Sequence, residues 1–165
     1  MAQAAGNQDP LEFALDLLRD EKMGVSMISF SQDEEVCARI MKEPYVNVCT
    51  DGLLGGRPHP RAYGTYPRIL GRYVRQLGAL TMEEAIRKMS SQAADAMHLS
   101  DRGRLSTGQV ADVVCFDAEK VTDRATFEEP MQLSIGIEHV IVGGTPVVLG
   151  GCGTGARPGR VVRRT

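Results

Sequence analysis

No apolar run in this chain approaches the ~20 residues that a membrane-spanning helix needs, so no membrane segment is expected. An excess of charge of one sign is missing too: 19 Lys and Arg stand against 21 Asp and Glu, a formal net charge of −2. That balance gives no electrostatic case for nucleic acid or an anionic membrane. The basic tail (Arg157, Arg160, Arg163, Arg164) is short and has no interleaved aromatics, so it reads as surface. Cysteine is sparse. Cys37, Cys49, Cys115 and Cys152 lie far apart with no CxxC, which excludes a dense disulfide framework. Buried free thiols in a reduced, cytoplasmic protein are the expectation. The opening MAQAAGNQDP has neither a basic n-region nor an apolar h-region, so no secretory signal is expected.

What remains is globular. The 165 residues are 42% apolar and 24% charged, values far from disorder and sufficient for one core. Asp9, Pro10 and Glu12 predict a helix start, with Leu11, Ala14, Leu15 and Leu18 on one face and Gly24 as its end. Val25–Phe30 reads as a short buried strand. Ser31 and Glu34 form a second capping box, Val36, Cys37, Ile40 and Met41 supply an apolar face, and Pro44 closes that helix. Tyr45–Cys49 alternates as a strand does. Helix, strand, helix, strand at this spacing is the rhythm of a parallel α/β sheet.

The chain is organised around Tyr45–Thr65, YVNVCTDGLLGGRPHPRAYGT. Asp51 sits just past the end of the expected strand, and a glycine- and proline-rich loop then carries His59 and Arg61. A carboxylate at the carboxyl end of a buried strand, with a base and a guanidinium in the next loop, is how α/β enzymes display chemistry. Asp51-Gly52 is equally a common turn pair, and a lone Arg61 is usually a surface charge.

Beyond the loop, Pro67 is expected to start a helix with Ile69, Leu70, Tyr73, Val74 and Leu77 inward, stopped by Gly78. Thr81 and Glu84 make a third capping box, opening a longer helix to about Leu99. From Gly103 the chain turns valine-rich. Val110–Phe116 reads as a strand, and Glu138–Leu149 as a hairpin about Gly143-Gly144. Pro146 favours an edge position. His98 and His139 read as structural. The chain thus divides into an α/β part, 9–99, and a smaller β part, 100–165. Two parallel strands cannot close a barrel, which takes roughly 250 residues, so the chain is expected to be the end of something larger.

The string TDGLLGGRPHPRAYGTYPRILGRYVRQLGALTMEEAIRKM resembles the D-aminoacylase (N-acyl-D-amino-acid deacylase) family of the amidohydrolase superfamily. GRLSTGQVADVVCFDAEKVTDRATFEEP, IEHVIVGGTPVV and TGARPGRVVR look like the same family's C-terminal region. The resemblance implies an α/β fold: the last βα units of a metal-dependent-hydrolase TIM-type barrel, with Val25–Phe30 and Tyr45–Cys49 as strands seven and eight. Residues 100–165 become the C-terminal part of a small β-sandwich domain. It further implies zinc as cofactor, Asp51 as the acid–base carboxylate, Arg61 as the group that binds the substrate's carboxylate, and His59 as a residue lining the site.

The sequence departs from the family in its metal ligands. The family carries an HxH pair on its first strand, whereas His59, His98 and His139 include no two residues two apart. Cys49, Asp51 and His59 fall short of the three well-placed ligands that a catalytic zinc wants. No metal ligand is therefore assigned. The expectation is the C-terminal portion of a zinc-dependent amidohydrolase acting on N-acyl-D-amino acids, inactive without the metal-binding N-terminal strands. A different reading is a non-catalytic module that self-associates as a homo-oligomer or is completed by a missing segment. A third is a small-molecule binding domain that uses Arg61.

Overall fold

A computed structural model describes residues 6, 9–25, 29–53 and 55–163. The chain divides into two compact units, residues 1–31 and 32–165. In the first, α1 spans Pro10–Asp20. Asp9 caps it, its Oδ1 accepting from the N–H groups of Leu11 and Glu12 at 2.9 and 3.3 Å. Two non-glycine residues in the left-handed region, Lys22 (φ 51) and Met23 (φ 65), end it ahead of Gly24. The expected strand Val25–Phe30 falls partly outside the described residues; Val25, Ser29 and Phe30 are not part of a strand.

The second unit holds α2 (Glu34–Lys42), α3 (Arg61–Arg68), α4 (Met82–Met89), α5 (Ser91–Ala96) and a four-stranded antiparallel sheet. The cap of α2 is Asp33, whose Oδ1 accepts from Glu35 and Val36. The expected Ser31–Glu34 box is replaced because the Glu34 carboxylate is taken by Arg72, at 2.7 Å to Nη2 and 3.2 Å to Nε. Its apolar face is only partly covered: Val36 and Ile40 remain exposed, while Met41 packs on the core.

The helix expected from Pro67 starts six residues earlier, at Arg61. Pro67 lies inside it, where it supplies no N–H, and beyond Arg68 the coil widens into π-helical turns over Ile69–Gln76. Gly78 (φ 57) ends it. Gly71 lets this segment lie against the loop at Val121–Thr122, where a Cβ would stand 2.6 Å from Thr122 Oγ1 and 2.9 Å from the Val121 carbonyl. The Thr81–Glu84 capping box forms as read. The single helix expected to Leu99 is instead broken at Ser90 (φ −132, ψ −88). The Ser90 hydroxyl donates to the Ile86 carbonyl, a back-bond that bends helices.

The sheet runs β1 (Val113–Phe116), β2 (Ile137–Val142), β3 (Thr145–Leu149), β4 (Cys152–Gly153), in that spatial order. The hairpin turns on Gly143 (φ 55) and Gly144 (φ 82), as the sequence predicts. Asp112 Oδ1 accepts from the Gly143 N–H at 2.8 Å and so anchors the turn to the start of β1. β1 is shorter than Val110–Phe116. Contrary to the edge position expected of Pro146, β3 lies between β2 and β4. Pro146 faces Ile141 on β2 and lies outside the residues that β4 pairs with, Val148 and Leu149, so its missing N–H is tolerated there. His139 is structural, its Nδ1 accepting from the Gly150 N–H at 3.1 Å.

The core of this unit gathers Val48, Ile69, Leu70, Leu80, Ala85 and Val121, with Phe116 and Ile137 of the sheet packed against it. An open cleft of about 720 Å3 lies beside it, lined among others by Tyr66, Leu70, Met89, Phe116, Leu133 and Ile137. The four cysteines are free, and Cys49, Cys115 and Cys152 are exposed rather than buried.

Candidate functional site

The segment expected as a strand, Tyr45–Cys49, forms no strand pairing among the described residues. A parallel strand takes its hydrogen bonds from neighbouring strands; this one takes them from a helix. Lys88, on α4, is 1% exposed, and its ammonium is turned to main-chain carbonyls. It donates to the carbonyls of Glu43 and Val46, and Gln92 Nε2 also donates to Val46 O at 3.2 Å. The Val48 N–H answers with a bond to the Lys88 carbonyl at 3.3 Å, and the Val48 side chain enters the core. Burial pushes the Lys88 amine below the usual lysine range, with Arg87 adding to the effect. The lysine therefore does the work of the missing ladder.

From this anchored segment the chain delivers Thr50 and Asp51 to the start of α3. The Thr50 and Thr65 hydroxyls both donate to the Arg61 carbonyl, at 3.0 and 2.8 Å. Gly52 packs directly on α3: a Cβ there would meet Ala62 Cα at 2.9 Å. This contact brings Asp51 and Arg61 together. Arg61 Nη2 lies 2.8 Å from Asp51 Oδ2, and Arg61 Nε donates to the Asp51 backbone carbonyl at 2.7 Å. The pair is open to solvent, with the side chains 78% and 43% exposed for Asp51 and Arg61.

His59 completes the group. Pro60, the residue before α3, has no capping side chain, and His59 Nδ1 accepts the Arg61 N–H at 3.0 Å instead. This bond fixes the neutral imidazole with its proton on Nε2. Phe127 meets the ring edge-on, with centroids 5.1 Å apart at 85°. Burial, and then the Arg61 charge, push the His59 pKa below its ordinary 6.5. Arg57 Nη2 donates to the Glu128 carbonyl, so the HPR loop and the ATFEEP segment, far apart in sequence, are bound to each other.

The three residues singled out from sequence, Asp51, His59 and Arg61, are thus brought together, while His98 and His139 lie apart from them. Sequence reasoning passed over Lys88 and Phe127. The signal for Lys88 was its place three residues after Ala85, on the helix's apolar face. For Phe127 it was the ATFEEP motif itself.

Metal chemistry is a separate matter. Among the described residues no three His, Cys, Asp or Glu side chains gather as a metal cage. His59 Nδ1 and the Asp51 carboxylate are both engaged with Arg61. The residues present do not fit a catalytic zinc.

A model of the amidohydrolase family matches residues 37–148. The chain belongs to the amidohydrolase family. Among its amidohydrolase relatives, an N-acyl-D-glutamate deacylase of Alcaligenes xylosoxydans xylosoxydans is 46% identical over 138 residues, which are 83% of this chain and 28% of that protein. A D-aminoacylase of the same organism is 43% identical over 139 residues, 84% of this chain and 29% of its own length. The chain spans little more than a quarter of the curated relatives it matches. Among solved structures, the N-acyl-D-glutamate deacylase of Bordetella bronchiseptica, complexed with zinc and a phosphonate inhibitor that mimics the tetrahedral intermediate, is 44% identical. It superposes with a TM-score of 0.70 over 72% of this chain and 25% of that one. A D-aminoacylase aspartate-to-alanine mutant in complex with CuCl2 is 40% identical, with a TM-score of 0.77 over 81% of this chain and 28% of its own. These two homologous structures are complexes with zinc and with CuCl2.

Proposed function

We propose that these residues form the C-terminal portion of a zinc-dependent amidohydrolase that hydrolyses the amide of N-acyl-D-amino acids. In this reading, residues 9–99 are the share of a (β/α) barrel carrying strands seven and eight with their helices, and 100–165 are the C-terminal β subdomain. The observation that carries it is the pairing of Asp51 with Arg61 in a chain 46% identical to an N-acyl-D-glutamate deacylase. Hydrolysis breaks the amide C–N bond and forms a C–O bond to water. The water's proton must leave, and the departing amine must gain one. The Asp51 carboxylate takes the first and returns it to the amine nitrogen. Arg61 holds the substrate's own carboxylate, for which a planar fork is better suited than an ammonium. His59, fixed as a neutral Nε2–H donor, lines the site.

Zinc ligands come from outside these residues, so this chain alone is expected to be inactive. The test is turnover of N-acetyl-D-glutamate with zinc, by this chain alone and after mixing with the remaining portion of the relative N-acyl-D-glutamate deacylase. Activity only in the mixture, lost in Asp51→Ala, is expected. Robust turnover by the 165 residues alone, or none in a demonstrated complex, overturns the reading.

A second reading is a non-catalytic module that self-associates or is completed by a partner. It is favoured by the apolar side chains left open about the cleft, where Leu105 is 84% and Leu133 76% exposed. Sedimentation velocity separates the two fates: a monomer at high concentration rules out self-association.

A further inference from the structure

The Arg61 guanidinium already holds a carboxylate, and that carboxylate is the chain's own. We propose that Arg61 is a carboxylate receptor closed by Asp51, so that an anionic ligand binds by displacing Asp51 and frees it in the same event. Naming an N-acyl-D-amino acid as the natural ligand rests on the function proposed above; the exchange itself rests on geometry.

Three features make the exchange possible. The fork is aimed by backbone: Arg61 Nε donates to the Asp51 carbonyl at 2.7 Å, a bond that survives when the carboxylate leaves. The carboxylate's hold is a single contact, Oδ2 to Nη2 at 2.8 Å, on a side chain 78% exposed, and ion pairs of that kind are weak and screened by salt. Among the described residues, no hydrogen bond or ion pair engages Nη1. An incoming carboxylate can therefore span Nη1 and Nη2 with both oxygens, where Asp51 reaches only one, and two-pronged pairing is the stronger geometry.

The main chain need not move. The Arg61 N–H is held by His59 Nδ1 and its carbonyl by two threonine hydroxyls, while Gly52, the residue after Asp51, is packed against Ala62. Only the Asp51 side chain rotates. Its two duties, closing Arg61 and carrying a proton, exclude each other, so the free protein stores the carboxylate away from work until a ligand arrives.

The test is a titration of the folded chain at low ionic strength with acetate, N-acetyl-D-glutamate and N-acetyl-L-glutamate, following the Arg61 Nε–Hε signal by NMR. Asp51→Asn removes the competing charge and keeps the size of the side chain; Asp51→Ser serves as a second variant. Both sit at an exposed side chain, and thermal melts check that they fold. Removing the competitor should tighten binding of the anions about fivefold, with the gain fading as salt is raised. Arg61→Gln should abolish saturable binding. Equal or weaker binding in both Asp51 variants, or no binding of any anion to them, overturns the exchange. The two ideas fail separately. If the enzymatic reading is wrong and the exchange right, all three anions gain alike with no preference for the D-form. If only the exchange is wrong, preference for the D-form persists without a gain.

Discussion

The ammonium of Lys88 and the backbone carbonyl of Val46 are joined at 3.0 Å inside the protein. A buried cation bonded to main-chain oxygens is an unusual way to hold an extended segment, and here it sets the base from which Asp51 projects. Lys88→Met keeps the apolar stem but leaves the Glu43 carbonyl without this donor. The expected loss is about 2 kcal/mol of unfolding free energy, read from urea denaturation, with Lys88→Arg no substitute because the larger fork does not fit. Unchanged stability in Lys88→Met would mean that Val48 and the Gln92 bond to Val46 suffice to hold the segment.

Glu34 ties α2 to the π-helical segment through Arg72. Hydrogen bonding to Arg72 holds its carboxyl below the ordinary 4.5, with the charges of Arg72 and Arg68 adding to the effect. A group whose folded pKa is depressed contributes stability above its unfolded value and loses it as pH falls through the folded one. Melting temperature should therefore drop more steeply below pH 4.5 in the parent than in Glu34→Gln, the two curves converging in acid.

His59 gives a second window at higher pH. Its folded pKa lies below 6.5, so the unfolded chain binds the proton first. Stability should fall as pH drops from 6.5 towards the folded value and stay level above 6.5. Protonation also removes the acceptor for the Arg61 N–H. His59→Asn should flatten this limb of the stability–pH curve, and an unaltered limb would assign it elsewhere.

Gly71→Ala should destabilise, although alanine is the better helix former. Its Cβ would press on Thr122 Oγ1 and on the backbone carbonyl of Val121, and backbone cannot step aside cheaply. A cost of about 1–3 kcal/mol in chemical denaturation is expected. A second change, Thr122→Ser, should recover little of it, since the hydroxyl and the carbonyl both remain.

Much of the local structure was legible in the sequence. Asp9, the Thr81–Glu84 box and the Gly143-Gly144 turn acted through neighbours in the chain, and each formed as read. The misses have two causes: a distant partner taking the group, as Arg72 and Lys88 do, or a local side-chain bond of a kind not anticipated, as at His59 and Ser90. Glu34 left its expected cap for Arg72, and α3 began at Arg61 because His59 supplied a cap that Pro60 lacks. Tyr45–Cys49 alternates like a strand, yet alternation states only which face is buried; the hydrogen-bonding partner was Lys88. At the site, residue types and spacing drew attention to Asp51, His59 and Arg61 together. The contact of His59 with Phe127 depends on how α3 and the ATFEEP segment fold back on each other, which no local pattern encodes.

The close approach of Gly52 to Ala62 makes the intervening loop a lasso with a tied neck. Whatever is spliced into the lasso's far end, the knot keeps the acid and the guanidinium at the same span. Changes confined to the loop's far end should thus leave the spacing of the charged pair as it stands.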